Sequence, residues 1–408
     1  MATVNWAGPT AGEGGVSCDV EQRTLAVACG AHVLHDGYAD ALYVLLPLWK
    51  AEFLLGYAAV AALRALYSGC MAGFQTPSSL LAERMGGRWL LALGTALAAL
   101  GYLVASTGSG FATLAAALVV GGLGASVQHP ISSSLVARAF EGSRSRSRLA
   151  TYNVAGDLGK MALPALTAGL LAFISWRVAM AVLGVCGLVA AGAVLLLPRG
   201  ERSEATERRA PSANDVPSAP IAAGRRAFRV LLVIGVVDSA TRTGFLTFLP
   251  FLLRAKGATL PIVGAALSLV FLGGACGKLV CGFLGARLGV VTTVLLTEGL
   301  TAAGIVALLP LPLPLALALL PPIGLALNGT SSVLYGTVPE LVAPNRQARA
   351  FGLFYTGTIG AGALSPVAYG LVSDLAGLPV MMGAVAAVVL LTLPLAWAFR
   401  AALAHHST

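Results

Sequence analysis

Apolar stretches long enough to cross a bilayer fill almost the whole of this 408-residue chain. A spanning helix needs about 20 mostly apolar residues. Hydropathy places such spans at 25–49, 56–82, 89–106, 111–138, 149–174 and 178–198. A second set lies at 230–253, 261–284, 290–309, 313–340, 347–372 and 378–402. Lipid offers no hydrogen-bond partner to a bare backbone, so a chain built this way is expected to fold as an all-α polytopic bundle of twelve transmembrane helices. Only 11% of the residues are charged and 57% are hydrophobic, against roughly 25% charged in soluble domains.

The one long polar stretch, Arg199 to Arg229, is rich in charge, Pro, Ala and Ser and reads as a flexible linker. It divides the chain into a tail (1–22), an N-terminal lobe of six spans (23–198), a linker (199–229), a C-terminal lobe of six (230–402) and a short tail (403–408). The polar start lacks the basic and apolar regions of a secretory signal. The net charge of +9 does not call for nucleic acid. Arg84 and Arg88, the run Arg138 to Arg148, the linker, Arg287, and Arg346 with Arg349 all fall on one side of the bundle. The opposite loops hold only Lys50, Arg177, Arg254 and Lys256. The positive-inside rule then places both termini and the linker in the cytoplasm. The six cysteines have no C-x-x-C spacing and read as packing residues.

The two halves repeat one another. After the second span the chain reads SLLAERMGGR (Ser79 to Arg88), and after the eighth GFLGARLGVV (Gly282 to Val291). Arg84 matches Arg287 and Gly86 matches Gly289 at an offset of 203; Asp36 matches Asp238 at 202, Pro47 matches Pro250 at 203 and Pro164 matches Pro366 at 202. Parallel repeats of six helices describe a two-lobe transporter with its substrate site near the midplane, between the lobes.

SLLAERMGGR resembles the loop motif of the major facilitator superfamily, Gly-x-x-x-Asp-Arg-x-Gly-Arg-Arg, with Glu83 in place of the Asp. SWRVAM (Ser175 to Met180) resembles that family's entry to its sixth helix. More closely, HVLHDGYADALYVLLPLWKAEF (His32 to Phe53) and GGLGASVQHPISSSLVARA (Gly121 to Ala139) resemble helices 1 and 4 of its fosmidomycin-resistance branch. The chain departs from that branch at Ile131, where the branch carries Glu, and from the family at Ala286, where the second loop carries Asp. The resemblance implies a major facilitator fold and export of a compound from the bacterial cell across the inner membrane.

His32, Asp36 and Asp40 are spaced four apart and line one face of the first helix, with Tyr43 beside them. A polar stripe on an apolar membrane helix is expected to face a cavity or a partner helix. Asp36, Asp40, Asp157 and Asp238 are the candidate proton-coupling carboxylates, and the structural alternative for each is an ion pair or helix kink. His32, His35, Tyr43, Arg64, His129, Asn153, Lys160, Arg242, Asn328, Tyr335 and Tyr355 are the candidate substrate contacts. Arg64 needs a partner, for which an acid on the first helix is expected. Asp157 and Lys160 are expected to neutralise each other, as are Asp238 and Arg242; an Asp40–Arg242 contact between lobes is a further expectation. Glu298 is expected to pack outside the site. Glu83, Arg84, Gly86 and Arg287 are the gating candidates.

No phosphate-binding lysine loop, nucleophile elbow or metal-spaced His/Cys cluster stands in the sequence, so no catalytic residue, metal or cofactor is expected beyond a coupling proton. The function expected is secondary active transport: proton-coupled efflux of a small drug-like or anionic compound by a monomer in membrane lipid. Proton-coupled uptake of an organic anion or sugar is the alternative, and a membrane-embedded enzyme or a transport-dead receptor are rivals of another class.

Overall fold

The computed structural model describes residues 13–140, 142–196, 221–343 and 346–404. They form α1 (Glu13–Glu52), α2 (Tyr57–Gly73), α3 (Gln75–Met85), α4 (Gly87–Ser106), α5 (Phe111–Ala125), α6 (Gln128–Ala139), α7 (Gly142–Leu170) and α8 (Trp176–Val194). The second lobe holds α9 (Ile221–Ala255), α10 (Leu260–Leu288), α11 (Val290–Leu308), α12 (Leu313–Thr337), α13 (Gln347–Ala376), α14 (Leu378–Leu390) and α15 (Thr392–Ala404). No strand occurs among the described residues.

Three passes are broken: α2 continues into α3, α5 into α6 and α14 into α15. The middle break has a sequence cause. Pro130 has no N–H to donate to the Ser126 carbonyl, and the helix interrupts at Ser126 and Val127. Among the described residues, nine passes are long and apolar enough on their own to cross a membrane. The first, second and fifth are not among these nine; they carry His32, Asp36, Asp40, Arg64, Asp157 and Lys160. The linker expected at 199–229 falls outside the described residues up to 220, and from Ile221 the chain is already helical in α9. Likewise α1 starts at Glu13, within the stretch expected as tail.

The internal repeat is visible in the backbone. Gly86, with φ 87°, ends α3, and Gly289, with φ 80°, ends α10. The turn after α1 carries Leu54 at φ 52°, and the turn after α9 carries Gly257 at φ 88°. The same six-to-one hydrogen bond closes both turns: Leu55 N–H to the Lys50 carbonyl at 3.1 Å, and Ala258 N–H to the Leu253 carbonyl at 2.9 Å. Glycine supplies the left-handed residue in one repeat, and leucine bears its steric cost in the other.

Helices in lipid gain little from hydrophobic attraction and associate through close packing of small residues. Gly156 and Gly159 let α7 lie directly on α1. A Cβ at Gly156 would stand 2.5 Å from His32 Nε2, and one at Gly159 would strike the Val33 carbonyl. The lobes meet through α2 against α13 and α7 against α10. A Cβ at Gly370 would come within 2.6 Å of Ala58 Cα, and one at Gly264 would collide with Ala168. Both approaches lie at the end of the bundle that holds the C-terminus of α1. Large apolar side chains such as Val189, Leu364 and Trp397 remain exposed on the perimeter, as a lipid-facing surface requires.

Candidate functional site

A cavity of about 240 Å³ lies between the lobes. Asp36, Asp40 and Tyr43 reach it from α1, Arg64 from α2, His129 from α6, and Asp157 and Lys160 from α7. From the other lobe come Arg242 on α9, Lys278 on α10 and Asn328 on α12. The four-residue period of the first-helix stripe explains the placement of Asp36 and Asp40, both 7% exposed.

The charges form a linked set. Lys160 Nζ stands 3.1 Å from Asp36 Oδ2, and His129 Nε2 stands 3.5 Å from Asp36 Oδ1. Arg64 finds its partner on the first helix, as expected: Asp40 Oδ1 at 3.7 Å, with the Tyr43 hydroxyl at 3.4 Å. Asp157 and Lys160 are 3.8 Å apart, but this is the longer contact of each. Asp157 is held mainly across the cavity, by Lys278 at 2.6 and 2.7 Å. Lys278 was not singled out by sequence, although a lone lysine inside an apolar span is itself a signal.

Several expectations need correction. Asp238 and Arg242 do not form an ion pair, and neither do Asp40 and Arg242. Asp238 faces the inside of its own lobe, within hydrogen-bonding reach of Glu298. Glu298 itself lies outside the cavity, as expected, and is buried within the lobe at 2% exposure. Arg242 lines the cavity with its Nε buried and without a hydrogen-bond partner. His35 does not reach the cavity: a position one residue from Asp36 turns away by about 100° on a helix, and its Nε2 meets Thr95 Oγ1 on α4 at 3.0 Å. Asn153 is exposed on α7 and is not part of the cavity wall. Tyr335 lines a smaller pocket in the C-terminal lobe with Asp238 and Arg242, bonds Thr358 at 3.1 Å and stacks on Tyr355. Tyr355 is 45% exposed. His32 lies behind Asp36, its Nε2 3.3 Å from Asp36 Oδ2.

Spacing shows no metal-ligand cluster, yet the fold brings ligand atoms of His32, Asp36 and His129 within 4.8 Å of one another. The gating candidates Glu83, Arg84 and Gly86 are exposed at the end of α3. Arg287 is exposed at the end of α10, over the Phe283 ring at 4.4 Å. At the opposite end, Glu52 accepts from Trp176 Nε1 at 2.5 Å and from Arg177 Nη1 at 2.6 Å, which gives the SWRVAM stretch a structural task.

Ile131, where the resemblance leads one to expect Glu, is buried in an apolar cluster with Leu90, Leu91 and Val127. A charged side chain at this position would have no place in that packing.

Known proteins place this arrangement. A bacterial homologue of the human lysosomal transporter Spinster, in an inward-facing and unoccupied conformation, superposes with a TM-score of 0.78 at 15% identity, covering 94% of this chain and 98% of the other. A point mutant of the nucleoside transporter NupG superposes at 0.77 with 13% identity, covering 94% and 99%. The Fosmidomycin resistance protein of Escherichia coli (strain K12) is 25% identical over 352 residues, 84% of each chain. The family model described as Major Facilitator Superfamily matches twice, at residues 28–237 and 231–407, once for each six-helix half. The chain is therefore a multi-pass membrane transporter, not an enzyme, and belongs to the Major Facilitator Superfamily.

Proposed function

We propose that this protein couples proton movement to the export of a small anionic or drug-like compound by alternating access, as a monomer in the bacterial inner membrane with both termini cytoplasmic. The observation that carries the reading is the pair of carboxylates, Asp36 and Asp40, buried on one helix face at the wall of an interlobe cavity. Ionised acids at membrane depth are costly, so they persist where they do a task. Each has a partner that substrate can compete for: Lys160 and His129 for Asp36, Arg64 for Asp40. Releasing such a partner favours protonation, and this links substrate to proton.

The cavity wall holds four basic side chains, Arg64, Lys160, Arg242 and Lys278, against three carboxylates, Asp36, Asp40 and Asp157, among the described residues. That excess suits an anion, with Arg242 the best-placed free donor. Export and the drug-like class are supported by the name of the Escherichia coli relative. The glycine approaches at the α1 C-terminal end support a state closed on the extracytoplasmic side, with the cavity reached from the cytoplasm, where export loads its cargo.

The test is a pH-sensitive dye in everted membrane vesicles, with a panel of anionic and neutral compounds that includes fosmidomycin. Collapse of the pH gradient by anionic members, only when the protein is present, is expected. Absence of any response, together with energised uptake of an organic anion into intact cells, would replace this reading with import.

A further inference from the structure

We propose that His32, Asp36 and His129 form a binding site for one divalent first-row transition-metal ion of the zinc class, at the N-terminal-lobe wall of the cavity. His32 Nδ1 lies 2.8 Å from the Tyr152 carbonyl oxygen. A carbonyl only accepts, so Nδ1 donates to it, and Nε2 is the ring nitrogen left to a metal ion. That nitrogen faces Asp36 Oδ2 at 3.3 Å. On the other side of the same carboxylate, His129 Nε2 meets Oδ1 at 3.5 Å. One ligand atom from each of the three residues thus lies within 4.8 Å of the other two, a spacing that a single bound cation bridges.

The spacing fits a metal ion. Zinc bonds to imidazole nitrogen and carboxylate oxygen run about 2.0–2.2 Å, so neighbouring ligands of a tetrahedral ion stand about 3.4 Å apart. The two contacts above straddle that value. A backbone carbonyl holding the far nitrogen of a ligating imidazole is the usual support of such a ligand, and Tyr152 also stacks its ring on His32 at 4.1 Å. Imidazole and carboxylate together suit zinc, cobalt and nickel better than magnesium or calcium.

Three protein ligands leave a fourth position open. Asp36 and His129 both line the cavity, and the His129 side chain is 40% exposed, so this position faces cargo or water. Lys160 Nζ, 3.1 Å from Asp36 Oδ2, is the resident competitor. It has a second carboxylate available, Asp157 at 3.8 Å, to which it moves when the ion enters. The helix break before Pro130 is what delivers His129 to α1 and α7.

The test uses the purified full-length transporter with no histidine tag, in a background carrying His405→Ala and His406→Ala. Cobalt(II) is titrated and read by visible absorption and equilibrium dialysis, with zinc as competitor. One ion per chain is expected, with the spectrum of tetrahedral nitrogen–oxygen coordination. His32→Ala and His129→Ala should each weaken binding by more than about 100-fold, the upper end of what losing a supporting group costs, while His35→Ala binds as the parent does. Lys160→Gln should tighten binding. No stoichiometric binding, equal binding in the His129→Ala protein, or no tightening in Lys160→Gln would overturn the site. Transport assays do not enter this test, so its failure is separate from failure of the export reading.

Discussion

The carboxylate of Asp374, near the end of α13, accepts the backbone N–H of Tyr57 at 2.7 Å and of Ala58 at 3.0 Å, in the first turn of α2. One lobe thus caps a helix of the other. The first amides of α2 have no partner within their own helix, and a carboxylate is favoured at that positive end. The contact sits where Gly56 and Gly370 let the lobes touch, since a Cβ at Gly56 would stand 2.9 Å from Asp374 Oδ2. It can form only while this end is closed.

Asp374→Ala should therefore shift the conformational equilibrium and leave the fold intact. Loss of a helix cap costs about 0.5–2 kcal/mol, a factor of about 2–30 in population. Distances between spin labels on the α1–α2 and α13–α14 turns should show a larger fraction open at this end. An unchanged distribution would remove Asp374 from the gate.

Leu54 makes a second prediction. It holds φ 52° where the other repeat has glycine, and it is 90% exposed, so its side chain has little packing to lose. Leu54→Gly should stabilise the purified protein by about 1 kcal/mol, the steric cost of a left-handed residue, visible as a raised unfolding temperature. The reciprocal Gly257→Leu should destabilise it by a similar amount.

Glu52 lies beyond the apolar part of α1. The indole N–H of Trp176, and then Arg177, hold its carboxyl below the ordinary value of 4.5. A lowered folded pKa adds stability above the unfolded value, and that stability is lost as pH falls through the folded one. The unfolding temperature of the parent should drop on acidification below about pH 4.5, and Glu52→Gln should flatten that limb. The side chain is 38% exposed, so solvent screening keeps the effect under about 1 kcal/mol.

Arg242 is the donor expected to meet an anionic cargo. Arg242→Gln should raise KM for anionic substrates by about 10-fold or more, in line with about 1.5–3 kcal/mol for a hydrogen bond to a charged group, with a smaller effect on neutral ones. Equal changes for both classes would argue that it only shapes the cavity.

Much of this was legible in the chain. Length and apolarity alone mark nine of the passes among the described residues, and the lobes follow from offsets such as Arg84 to Arg287. The stripe of His32, Asp36 and Asp40 follows from helical period. Pairing was legible only in part. Of the neighbours on one helix expected to neutralise each other, Asp157 and Lys160 do lie 3.8 Å apart, whereas Asp238 and Arg242 form no ion pair. In the fold, Asp157 is closest to Lys278 across the cavity and Asp238 turns to Glu298 on α11. Which face of an apolar helix meets which neighbour is set by packing, and periodicity within one helix carries no record of it. His35 is the opposite case: its helical position, about 100° from Asp36, already turns it from the cavity, and it faces Thr95.

The central claim is that Asp36 couples a proton to cargo. Its most direct measurement is substrate-driven proton flux in proteoliposomes containing the parent or Asp36→Asn, beside substrate exchange at equal pH on both sides. The account predicts that Asp36→Asn abolishes the proton flux while the protein stays folded. Proton flux at the parental rate in Asp36→Asn would contradict it.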